Sequence, residues 1–135
     1  MKDIRARSFV TIMVFIAFST LVLRIAIEQI VKFNITQNES SAEASLKLIS
    51  AALENYAKDN QGVFPTNLAV LAQTTPSYLD ASYINQSPLK GYSYNCFKLE
   101  QTGYNCSAVP TKCRLTGNII YTITTGGALV SEACK

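Results

Sequence analysis

The chain has 135 residues, with 12 Lys+Arg against 9 Asp+Glu, four Cys, and neither His nor Trp. That length accommodates one folded domain and hardly two. Lacking His, the chain lacks the commonest general base, the usual partner of a nucleophilic Ser or Cys, and the commonest zinc ligand. The net charge of +3 is local, because residues 1–27 hold Lys2, Arg5, Arg7 and Arg24 against Asp3, and residues 28–135 hold eight of each sign. A neutral body gives no electrostatic footprint for nucleic acid, which is therefore not an expected partner.

Residues 1–8 form a basic leader to an apolar run. From Ser8 to Leu23 no charge occurs; after Arg24 the run resumes at Ile25–Ile27 and continues sparsely to Phe33. A helix crossing ~30 Å of hydrocarbon needs about 20 residues, and Phe9–Ile27 supplies nineteen if Arg24 lies near one end. Arg24 and Glu28, four apart, are placed to pair on one helical face. A cleaved signal peptide has a shorter apolar core and a small-x-small site, which this run does not cleanly offer. The core helix of a soluble protein rarely needs so long an uncharged stretch. The expectation is a membrane helix over 9–33, its N-terminus cytoplasmic by the positive-inside rule and its body, residues 34–135, outside.

Residues 40–58 read as an amphipathic helix, with Ala42, Leu46, Ile49, Leu53 and Tyr56 on one face. Ser40 and Glu43 have the spacing of a capping box, and Gly62 and Pro65 stop the helix. The bridge Asn34–Glu39 has no Gly or Pro, so the two helical segments are expected to form one rod. Within the loop 59–90, Thr66 is placed to cap a short helix through Leu68 and Leu71, which Pro76 ends. Tyr78, Leu79, Tyr83 and Leu89 are its expected anchors on the core. Over 91–135 the period changes to two. Tyr92, Tyr94 and Cys96, then Tyr104 and Cys106, then 118–124 and 128–130 predict about four short antiparallel strands. The Gly126-Gly127 step marks a hairpin. Helix first and strands after means an α+β fold, with the sheet covering the helix stripe.

No C-x-x-C pair occurs among Cys96, Cys106, Cys113 and Cys134, so a metal site is not expected, and an extracytoplasmic body would hold them as disulfides. Four Cys allow three connectivities. A hairpin centred on Gln101 sets Cys96 and Cys106 opposite each other, and Cys113–Cys134 follows by elimination. For an enzyme there is no constellation: Asp59, Asp80 and Glu100 are scattered, and no nucleophile elbow or phosphate loop occurs. The Asn-x-Ser/Thr triplets at Asn34, Asn38, Asn85 and Asn105 are frequent by chance.

The basic leader, the Phe-led apolar helix, NESSAEASLKLISAALENYAKDNQGVFPT, LAVLAQTTPSYLD, GYSYNC and YTITTGG together resemble the type IV pilin and type II secretion pseudopilin family. The resemblance covers nearly the whole chain. It implies a pilin-like fold, a bacterial inner-membrane location, and assembly with copies or other pseudopilins into a filament, with no cofactor. It also implies that prepilin peptidase removes the leader between Ser8 and Phe9 and methylates Phe9. Phe9 and Ile12 match the family signature; Ser8 stands where the family has Gly, Met13 where it has Glu, and the helix-breaking Pro is missing. Some minor pseudopilins lack that Glu too. The family's C-terminal calcium loop is not carried over, since Glu132 is the only carboxylate side chain in the last 25 residues. The filament core would be Phe9, Ile12, Met13, Phe15, Ile16, Leu21 and Leu23, with Ala17, Ser19 and Thr20 permitting close approach. The alternative is a non-assembling, membrane-anchored binding module that uses Tyr78, Tyr83, Tyr92, Tyr94 and Tyr104 as contacts, unless these pack the sheet on the helix.

Overall fold

One α-helix, α1, runs from Lys2 to Asp59 without a break. The computed structural model describes residues 2–80, 83 and 87–135, with backbone only for residues 2–7. The basic side chains of Lys2, Arg5 and Arg7, Met1 itself and the triplet at Asn85 thus lie outside the described residues. The chain divides into two units, Met1–Asn34 and Ile35–Lys135. Every residue from Ser8 to Ile30 in the first is exposed.

The expected polar joint at 34–39 is ordinary helix, since nothing there breaks the backbone hydrogen bonding. No helix starts at Ser40, so the capping box expected there does not form. Glu43 instead reaches one turn on to Lys47, at 2.6 Å. The stop lies where the glycine suggested, with one refinement. Gln61 (φ 59°) takes the left-handed position and Gly62 (φ 85°) follows it, and the Gly62 N–H donates to Ala57 O at 2.7 Å. This is a Schellman closure, which satisfies a carbonyl the helix end would otherwise orphan.

In the second unit the helix stripe Ala42, Leu46, Ile49 and Leu53 is buried, with Ala52 and Ala57 beside it. It packs against Tyr92, Tyr104, Cys106, Ala108, Tyr121 and Ile123 of the sheet and Phe64, Leu71 and Leu79 of the connecting segment. In that segment the short helix α2 spans Ala69–Gln73. Thr66 does not cap it; Asn67 Oδ1 accepts the Ala69 N–H at 2.9 Å, an Asx turn that serves the same purpose. Tyr78 and Leu79 both donate backbone N–H groups to Leu71 O, which hangs the loop on that buried leucine. Leu79 is buried, whereas Tyr78, Tyr83 and Leu89 are half-buried.

The sheet is an antiparallel meander of β1 (Tyr92–Glu100), β2 (Gly103–Pro110), β3 (Ile119–Thr124) and β4 (Ala128–Ala133), in chain order. The first hairpin departs from the expected geometry. Glu100 pairs with Gly103, so the turn is the two residues Gln101 and Thr102 and is not centred on Gln101. That register alone would set Cys96 out of line with Cys106. A bulge between Cys96 and Lys98 absorbs Phe97 as an extra residue and restores the Cys96–Cys106 pair. It also shifts the side-chain phase, so that after Tyr92, Tyr94 and Cys96 the next core-packed residue is Leu99. In the last hairpin Gly127 N donates to Thr124 O at 2.9 Å, with Gly126 (φ 84°) in the turn position that favours glycine.

Gly117 is buried at the end of the β2–β3 connection, where a Cβ would collide with Tyr92 Oη and sit 2.6 Å from its ring. Gly117→Ala should therefore lose ~1–3 kcal/mol of stability in denaturant unfolding. Combining it with Tyr92→Phe, which removes the colliding oxygen, should cost less than the sum of the two single changes.

Candidate functional site: an exposed apolar helix and its disulfide-bound head

The residues expected to form a membrane or filament core all lie on α1 before Asn34. Phe9, Ile12, Met13, Phe15, Ile16, Leu21 and Leu23 are 54% to 69% exposed, and Ser8 is exposed beside them. Exposed large apolar residues between Phe9 and Ile30 fall on every side of the helix, not along one stripe. A helix apolar all round belongs in a large core or in lipid. From Phe9 to Ile30 the axial length is about 32 Å at 1.5 Å per residue, which matches the ~30 Å of a bilayer interior. The segment is long and apolar enough to be a candidate single membrane span.

Two details on this segment concern close approach. Thr20 Oγ1 donates to Ala17 O at 2.9 Å, which satisfies the hydroxyl within the helix, as an apolar surrounding requires. Ala17, Thr20, Leu21 and Arg24 line a shallow groove; Ser19, the third small residue singled out, does not line it. The expected Arg24–Glu28 pair does not form: among the described residues the ion pair is Lys47–Glu43.

In the head, both disulfides form, Cys96–Cys106 with Cα atoms 3.9 Å apart and Cys113–Cys134 at 5.9 Å. They close 10 and 21 residues of chain, so the entropy they remove from the unfolded state is worth about 3 kcal/mol each.

The tyrosines divide differently from the binding-surface expectation. Tyr92 and Tyr104 are buried and pack the sheet on the helix, while Tyr78, Tyr83 and Tyr94 are half-buried against the same core. Tyr92 Oη donates to Ile119 O at 2.8 Å. Burial, aided by the nearby Glu39 charge, pushes its pKa up to about 12. Tyr104 Oη lies 2.7 Å from Ser50 Oγ and donates to Glu54 Oε1 at 2.9 Å; burial first, and then Glu54, raise its pKa. Burial likewise raises the pKa values of Tyr94 and Tyr121, and the Tyr78 phenol is raised chiefly by its hydrogen bond to Asp59.

Sequence reasoning missed a set of polar clasps from α1 to the loops. Glu54 Oε1 also accepts the Gly126 N–H at 2.7 Å, and Glu39 Oε1 accepts the Asn118 N–H at 2.7 Å. The Asn38 side-chain amide donates to Thr116 O at 3.0 Å. That contact accounts for one of the Asn-x-Ser/Thr triplets; Asn34 is exposed on the helix and Asn105 is half-buried on β2. The only signal for these clasps was a polar residue bordering the apolar stripe, which does not say what it will meet. Among the described residues no cluster of His, Cys, Asp or Glu could hold a metal ion. No family model matches the chain, and neither the curated proteins nor the solved structures contain a match.

Because the buried tyrosines ionise later in the fold than their ordinary value near 10, the neutral phenol is the form the fold prefers. Stability is therefore complete below about pH 10 and falls as the pH rises through about 12, the value for Tyr92. In an alkaline absorbance titration with parallel circular dichroism, Tyr92 should ionise only as the head unfolds. Tyr92→Phe should move the alkaline unfolding midpoint upward.

Proposed function

We propose that the chain is a membrane-anchored structural subunit that assembles with copies of itself, or with related subunits, through the apolar part of α1. The observation carrying this reading is the all-round apolar, uncovered helix from Phe9 to Ile30, joined to a disulfide-bound head. Fourteen large apolar side chains lie bare there, from Phe9 to Ile30. At ~1.5–3 kcal/mol each, keeping them in water would cost more than the ~5–15 kcal/mol that holds an ordinary fold together. Lipid or neighbouring helices must cover them.

The resemblance to pilins and pseudopilins gives the reading its finer form: a pseudopilus or type IV pilus-like filament serving type II protein secretion, drawn from the bacterial inner membrane. The order of elements and the long helix on a four-stranded antiparallel sheet support it. The head would then lie outside the cytoplasm, where disulfides persist. Met13 in place of the family's Glu leaves that part of the helix without a charge to neutralise a neighbour's N-terminal amine. Assembly would thus depend on packing alone, and the groove at Ala17 and Thr20 is where backbones can approach.

Because the native Cys are paired, a Cys introduced into the helix is the free thiol. In membranes, Ala17→Cys and Thr20→Cys should form disulfide-linked dimers on mild oxidation, more readily than Phe18→Cys. Intact mass of the same material reads the leader, and a methylated Phe9 terminus would establish pilin-type processing. A helix that stays monomeric at every position supports the tethered binding module instead.

A further inference from the structure

The head is neutral in sum. Residues 35–135 hold seven Lys/Arg and seven Asp/Glu. Three of the cations are held by segments that bond to residues 38–41 of α1. The Lys90 ammonium lies 3.4 Å from Ser41 Oγ. Lys112 and Arg114 sit on the β2–β3 connection, which the Asn38 amide holds at Thr116 and Glu39 holds at Asn118. Glu39 is the acid beside them, its carboxylate accepting the Asn118 N–H; elsewhere Asp59 accepts from Tyr78, Glu54 from Tyr104 and Gly126, and Glu100 flanks the first turn.

The connection carrying these cations is firmly built. Cys113 is bridged to Cys134. Thr116 N donates to Lys112 O at 2.9 Å, Arg114 N donates to Gly117 O at 2.9 Å, and Thr111 N ties the segment to Gly91 O at 2.9 Å. At its tip, directly after Arg114, stands Leu115, 61% exposed. A large aliphatic side chain in that position contributes nothing to the core. Asn38, which fastens this segment, follows Phe33 by five residues in the sequence. So short a covalent tether allows these side chains to reach the headgroups of a bilayer that holds the apolar run.

We infer that the Lys90, Lys112, Arg114 and Leu115 cluster docks on an anionic lipid surface, with the cations on the phosphates and Leu115 entering the acyl boundary. The inference rests on the anchored reading above and adds a second, electrostatic contact of the head with the bilayer. Cations held near an anionic surface are drawn to it within a Debye length, and an apolar tip among them gains by leaving water. An acidic protein surface would suit the three cations, but the short tether to the apolar run favours the bilayer.

The chain has no Trp, so a single introduced one is a clean reporter. Full-length Leu115→Trp, in nanodiscs of phosphatidylcholine with or without phosphatidylglycerol, should emit blue-shifted light and be quenched by brominated acyl chains, chiefly in the anionic discs. Removing Lys112 or Arg114 by substitution with Gln should lower the docked-to-undocked ratio about fivefold for each charge. Val63→Trp, at the far end of α1, is the unquenched control, and Phe15→Trp reports whether the helix itself is in the bilayer. Phe15→Trp quenched while Leu115→Trp stays unquenched, or is quenched equally in both lipids, overturns the docking and leaves the anchor intact. Phe15→Trp unquenched overturns both.

Discussion

Water is the wrong solvent for residues 9–30, and the rest of the molecule is arranged around that fact. Their side chains are apolar in every direction, so no single partner surface of ordinary size would cover them. Arg24 and Glu28 are the charged exceptions, and both fall in the last third of the run. The same helix, past Asn34, changes from apolar all round to apolar on one stripe. That change of pattern, with no break in the backbone, makes one element a candidate membrane span at one end and the packing partner of the sheet at the other.

The head depends on the stripe in turn. A four-stranded meander is apolar on one face, and the helix residues Ala42, Leu46, Ile49 and Leu53, with the loop residues Phe64, Leu71 and Leu79, do most to close that face. Around this contact, Glu39, Asn38 and Glu54 bond loop backbone that would otherwise be left to water alone. The two disulfides hold the sheet's first hairpin and its last strand. A head so small gains from such staples, because its core is limited.

Much of this was legible in the sequence, for definite reasons. Period 3.6 across Ala42–Leu53 and period two after Gly91 name the elements, since each pattern suits only one backbone. The Cys96–Cys106 pair was reached with an incorrect turn centre; the bulge at Phe97 compensates, and no residue type there announces a bulge. Ser40 and Glu43 match a cap motif yet lie mid-helix, because a local motif cannot tell whether helix already precedes it. Tyr92 and Tyr104 could be read as surface contacts or as packing between sheet and helix, because a tyrosine's amphipathic side chain suits both places, and they are core. The clasps and the basic tip at Arg114–Leu115 depend on residues far apart in sequence and became visible only once the sheet was folded against the helix.

The most direct test of the account is to extract membranes from cells making the full-length chain with alkaline carbonate, under thiol-blocking conditions. The apolar helix should keep the polypeptide in the pellet, with all four cysteines unreactive until a reductant is added. Recovery of the intact chain in the soluble fraction, with its thiols freely alkylated, would contradict the claim that a lipid-held helix carries a disulfide-bonded exterior head.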